Sequence, residues 1–328
     1  MQRRSYLTGI TQVVANPYPN GSFSSIIIPP VPTGNEDPAP FNSIYLLDHN
    51  LGVLYQMPQG GGTLTAMLKP NDMMGDVQIA KVHDIAWRID GVVAVAQSSN
   101  NGAFVYLFRN GDNWNYSILA GSLEWQLAEH DMRLHSYSGN LYIWGVTPNN
   151  ILRFLSAQIA DFPAPWIQND GGIDATAAVD MGIDGRIYLL MPNGVIHVYY
   201  AVPDGERGYE KSIELQNVVP PIQTISRMVV TGEGDAGSFF LLDSYFSRII
   251  QVEKRTGKFI QQIVLPPEST VSFDDLTALA IDETGARPVI YMANRDVVYK
   301  APLPEPPLPF NQRVDSVVLP TATVVTQP

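Results

Sequence analysis

A short strand motif recurs six times along this chain, and its spacing constrains the fold more than any other feature. The copies occupy 44–48, 92–96, 141–145, 187–191, 239–243 and 290–294. Their second residues fall at 45, 93, 142, 188, 240 and 291, with gaps of 48, 49, 46, 52 and 51 residues. Each copy is a brief apolar run bounded by turn residues, the pattern of a strand buried on both faces. A repeat of that length with several strands per unit describes blades set around an axis. The expected fold is therefore all-β: a six-bladed β-propeller of four-stranded antiparallel blades, closed by a terminal strand.

Three units spell out whole blades. The second reads 84–87, 92–96, 103–108 and 114–119, with Gly, Asn and Asp at the turns. The fourth and fifth repeat this over 179–215 and 227–265. The third is less regular at its outer edge, near Pro165-Trp166-Ile167, and no helical stretch is expected. The first unit has no clear innermost strand before Phe41. The sixth runs into Pro302-Leu303-Pro304-Glu305-Pro306-Pro307, which cannot extend a ladder, so its outermost strand must come from elsewhere.

These gaps divide the chain into an N-terminal arm (1–39), a propeller body (40–302) and a Pro/Thr-rich tail (303–328). Two segments compete to supply the missing outer strand, 24–29 in the arm and 315–320 in the tail. Both look like the outer strand of unit five, Gln262-Ile263-Val264-Leu265-Pro266. The arm is favoured, because the Pro-rich linker lets the tail segment swing away. The other segment, with Val317, Val318 and Leu319, is then free to pair with an edge or another molecule.

Composition excludes several function classes. A net charge of −12 leaves no basic stripe for nucleic acid. With no cysteine, thiol catalysis, zinc–thiolate centres and disulfides are absent. No apolar run reaches membrane-span length, and the opening Met1-Gln2-Arg3-Arg4-Ser5-Tyr6-Leu7 lacks the apolar stretch of a signal peptide. A cytoplasmic protein, a processed form or a piece of a longer chain is expected.

Aligning the innermost strands brings His83-Asp84, His130-Asp131 and Asp180 to equivalent places, with Arg227 and Ala278 following in units five and six. Asp84, Asp131 and Asp180 are therefore candidate oxygen ligands for a divalent cation such as Ca²⁺ in the central channel. The competing reading is that each carboxylate hydrogen-bonds the neighbouring blade and locks the ring. His83 and His130 are channel candidates beside them, with His135 close by. His49 and His197 are read as surface residues, and Asp48 and Asp243 as turn formers at equivalent strand ends. No Gly-x-Ser-x-Gly elbow occurs, and the Gly-rich spots are turns rather than phosphate loops. Trp114, Tyr116 and Trp125 are candidates for an exposed aromatic surface for a protein or glycan. Asn20-Gly21-Ser22 and Asn115-Tyr116-Ser117 match glycosylation sequons.

The runs Val179-Asp180-Met181-Gly182-Ile183-Asp184-Gly185-Arg186-Ile187-Tyr188 and Phe239-Phe240-Leu241-Leu242-Asp243-Ser244-Tyr245-Phe246-Ser247-Arg248 resemble repeats of NHL- or TolB-like six-bladed propellers. They are similar in particular to propellers appended to bacterial membrane-anchored kinase- or phosphatase-like proteins. The resemblance spans residues 40–302. It implies a non-enzymatic, extracytoplasmic platform that binds a protein or self-associates, as a scaffold or subunit. Some six-bladed relatives are lactonases with a channel metal on a Glu, Asn and Asp set, which has no residue-by-residue counterpart here. A metal-dependent, lactonase-like hydrolase is thus the first alternative, and a glycan-binding module the second.

Overall fold

The computed structural model describes residues 4–32, 38–98, 101–110, 113–123, 132–147, 149–156, 163–201, 207–273 and 275–307. Each recurring motif forms the second strand of a small antiparallel sheet, buried because a neighbouring blade covers each of its faces. Blade two is the most regular, ordered Lys81–Arg88, Gly91–Ser98, Asn101–Asn110 and Asn113–Leu123 from axis to rim. Blade three has Arg133–Tyr137, Asn140–Trp144, Ile151–Phe154 and the two-residue outer strand Ala164–Pro165. Blade four has Asp180–Ile183, Ile187–Leu190, Ile196–Ala201 and Arg207–Ile213. Helix among the described residues is limited to Pro38–Phe41 and a 3₁₀ turn at Ala175–Ala177. The chain folds as a six-bladed β-propeller.

The N-terminal arm is woven into three successive blades. Arg4–Tyr6 runs parallel to Phe259–Val264 and adds a fifth strand to the rim of blade five. Thr11–Ala15 pairs antiparallel with Val297–Pro302 and supplies the outer strand of blade six. Phe23–Ile27 pairs with Ser43–Asp48 and is the innermost strand of blade one. The expectation that segment 24–29 would be the outer strand of blade six is therefore corrected. That role falls to Thr11–Ala15, and the later segment fills the vacancy before Phe41. The turn at Tyr18-Pro19-Asn20-Gly21 lets both vacancies be filled in one pass, since it carries the chain from rim to axis. The alternative closing segment, 315–320 with Val317, Val318 and Leu319, lies outside the described residues.

The core is distributed over the blade junctions. Six hydrophobic clusters each combine side chains of two adjacent blades. Leu7 is buried between blades five and six beside Phe240, Ile263 and Phe273, and its amide donates to Val264 O at 2.9 Å. Phe23 is buried between blades six and one with Tyr55, Ala278 and Tyr291. Close approach sets residue size too: a Cβ on Gly182 would lie 2.4 Å from Val230 Cγ2 of the next blade.

Leu7→Ala should therefore destabilise the whole propeller by about 2–5 kcal/mol, the usual range for a fully buried leucine. Urea unfolding measures this, and a change under about 0.5 kcal/mol would show that the arm is not part of the core.

Candidate functional site: the central channel

The innermost strands are paired on one side only, so their free edges line a channel of about 380 Å³. Unpaired N–H and C=O groups on such edges need water or a ligand. Strand register sorts the lining residues into rings. The first is Ser25, Asp84, Arg133, Asp180, Arg227 and Ala278, each opposite the same position of a second strand. The ring below it is apolar: Ile26, Ile85, Leu134, Met181, Met228 and Leu279. His135 follows in the third ring, beside Ala86 and Gly182.

The polar ring is engaged in holding blades together. Ser25 Oγ donates to Asp84 Oδ1 at 2.9 Å, joining blades one and two. Asp84 Oδ2 accepts the Leu134 amide of blade three at 2.7 Å. Arg133 Nε donates to Asp180 Oδ1 at 2.6 Å across the next junction. Asp180 Oδ2 accepts the Met228 amide of blade five at 2.7 Å. Arg227 Nε donates to Thr277 O of blade six at 3.1 Å, and the Thr277 hydroxyl donates to Phe23 O of blade one. Every junction is thus spanned, in one closed belt.

This belt tests the channel-cation expectation. Asp84 and Asp180 are brought to equivalent places, but both oxygens of each already accept donors. Arg133, not Asp131, holds the equivalent place in blade three, opposite Trp144 as Asp84 is opposite Val95. That corrects the three-carboxylate alignment: a guanidinium stands where the third carboxylate was expected, and its charge opposes a cation there. Among the described residues no group of three or more His, Asp or Glu side chains is placed to hold a metal. Among the described residues, the carboxylates of the belt do not fit a channel metal, because their oxygens are engaged. Asp131, His130 and Trp125 lie outside the described residues.

The other candidates have ordinary structural partners. His83 Nε2 is 3.4 Å from Gln97 Oε1, and burial keeps its pKa below the usual value. His135 is also pushed down by burial, against the pull of Asp84 and Asp180 and with the help of Arg133. Trp114 is not presented as a free surface aromatic: it is half-buried, edge-on to Tyr45, and its indole donates to Gln56 Oε1 of blade one at 3.1 Å. Tyr116 is 46% exposed, with its hydroxyl accepting the Gly75 amide. Asp48 accepts the Leu51 and Ser22 amides and the Asn16 side chain, so it pins the arm as well as a turn. Asp243 forms a fully buried pair with Arg248 at 2.8 Å. Arg133, Ser25 and Thr277 were missed in the sequence. Counting back from each second strand was the signal for Arg133, eleven residues before Trp144 as Asp84 is before Val95.

No family model and no curated protein sequence matches the chain. Solved structures do. A candidate gluconolactonase superposes with a TM-score of 0.55 at 10% identity, over 93% of this chain and 100% of that one. A chain of a nidogen/laminin complex gives 0.50 at 12% identity, over 76% and 81%. A luciferin-regenerating enzyme gives 0.50 at 11%, over 88% and 95%. At these identities the likeness is one of fold.

Two outcomes are expected. Asp180→Ala should cost about 3–5 kcal/mol, because it takes the carboxylate away from the Arg133 guanidinium, 14% exposed, and the acceptor from the Met228 amide. Asp84→Ala should cost less, about 1–3 kcal/mol, the loss of an amide acceptor and a hydroxyl bond. Equal and negligible losses in urea unfolding would deny the belt its role. The histidines set a pH dependence. His83, His135 and His197 all have folded pKa values below the ordinary one, so the unfolded chain binds their protons more readily. Stability that is fully present above about pH 6.5 should fall as the pH drops below it. His135→Gln should flatten that slope in thermal melts at pH 5–7.5.

Proposed function

We propose that this propeller is a binding module for a protein partner, with its channel serving as a structural, non-catalytic hub. The observation that carries this reading is the engagement of Asp84 and Asp180. A channel cation of the lactonase kind would have to take carboxylate oxygens that already join four blade junctions. Opening those junctions sets the cost of metal binding against the stability of the ring.

A suitable surface lies at the channel end where the innermost strands begin. Tyr245, Val219 and Tyr18 are there, 66%, 61% and 54% exposed. Tyr245 meets Phe246 edge to face at 4.8 Å, and Phe246 lies over the Arg248 guanidinium. Arg248 also donates to Pro220 O at 2.6 Å, so one buried cation fixes both the Tyr245 and Val219 loops. Apolar and aromatic side chains on a rigid base lose little entropy on association, which suits them as binding anchors. The NHL/TolB resemblance supports the same reading, with an extracytoplasmic setting. The nidogen/laminin structure supplies an instance of a similar fold in a protein complex.

Thermal unfolding in millimolar Ca²⁺ and in EDTA should give the same midpoint within about 1 °C, and a lactone panel should show no turnover that EDTA abolishes. A stabilisation of several degrees with stoichiometric metal would contradict this reading. Proteins retained from the source organism's extract by the wild-type chain should be lost with the Val219→Asp/Tyr245→Ser double variant. Identical retention would remove this face from the proposal.

A further inference from the structure

Blade four carries a polar constellation on its outer half, remote from the channel ring. His197 on the third strand and Ser212 on the fourth are direct cross-strand partners. His197 Nδ1 stands 2.8 Å from Ser212 Oγ, and the Tyr209 hydroxyl is 2.8 Å from the same oxygen. Residues three apart on a regular strand face opposite sides. Here the register shifts between Val198, paired with Lys211, and Tyr199, paired with Tyr209, leaving Glu210 as the extra residue. That bulge brings Tyr209 to the side of Ser212, the kind of re-aiming that bulges perform near reactive sites.

The group is held in place and reachable. The His197 and Tyr209 rings meet edge to face at 6.2 Å, and Gly171 packs so tightly that a Cβ there would lie 2.5 Å from Tyr209 Cγ. Ser212 is exposed. A cleft of about 370 Å³, lined by Met191, Pro192, Asn193, Val195 and His197, opens beside the imidazole. Burial keeps the His197 pKa below its ordinary value, leaving the ring neutral near pH 7.

We propose that Ser212 is a nucleophile activated by His197, forming a second functional site on blade four that acts on small carboxylic esters. This goes beyond the binding role and is independent of it. Ser212 Oγ attacks the ester carbonyl and its proton passes to His197 Nδ1. The C–O bond to the alcohol then breaks, and the alcohol leaves with that proton. Water, deprotonated by His197, hydrolyses the acyl-serine and restores both side chains. The Tyr209 hydroxyl stays within hydrogen-bond distance of the attacking Ser212 oxygen.

The test uses a fluorophosphonate probe on the full chain, with mass-spectrometric mapping, beside p-nitrophenyl acetate hydrolysis. The probe's phosphorus bonds to Oγ and fluoride leaves. Labelling at Ser212 is expected, absent in Ser212→Ala and slowed about a hundredfold or more in His197→Gln, the usual contribution of a general base. Ser212 is exposed and His197 half-buried, so at about pH 7.5, above the range where His197 titrates in the unfolded chain, both variants should melt as the wild type does, which separates lost chemistry from lost fold. An unlabelled Ser212, or labelling and ester turnover unchanged in His197→Gln, would overturn the proposal.

Discussion

The structure depends on one constraint: a ring of six sheets must be closed without a covalent bond between its last blade and its first. The polar belt near one mouth of the channel answers it at the axis. Ser25, Asp84, Arg133, Asp180, Arg227 and Thr277 link each innermost strand to the next, and the last link returns to Phe23 of blade one. These bonds are buried or part-buried, and all but the Thr277 link are charge-assisted, so removing one partner strands another polar group. The side chains most suggestive of chemistry at the axis thus have a mechanical task.

The arm answers the same constraint at the rim. It passes from blade five to six to one, and contributes a strand to each. The fifth and sixth blades are consequently built from both ends of the described chain. Leu7 and Phe23 enter the two junctions on either side of blade six. Propeller closure usually sacrifices the entropy of a long chain segment, and burial of these side chains offsets it.

The six second strands were legible because burial on both faces forces continuous apolar runs, which stand out against turn residues. The closing strands were not, for identifiable reasons. Phe23–Ile27 is mixed in polarity and separated from Ser43 by a long connection, so its likeness to Gln262–Pro266 outweighed its position. Thr11–Ala15 is a rim strand with exposed and half-buried positions, and such strands carry a weak hydrophobic signal. At the site, the shared His-Asp pairs drew His130-Asp131 into line with His83-Asp84. Register instead puts Arg133 in that place. The lesson is specific: in a repeat, distance from the buried second strand fixes a channel residue better than local identity. Ser212 left no sequence signal, because the bulge that gathers its partners appears only in the ladder.

Fold and surface therefore separate in this molecule: the axis is occupied by structural bonds, while exposed groups at one mouth and on blade four are available for contacts. If the belt is one cooperative element, breaking a single link must loosen the others. Hydrogen exchange in Asp180→Ala measures this directly. Faster exchange should spread beyond Met228 and its neighbours to all the innermost strands, including Phe23–Ile27 across the ring. Exchange that changed only in blades three to five would contradict the closed belt and leave a set of independent local bonds.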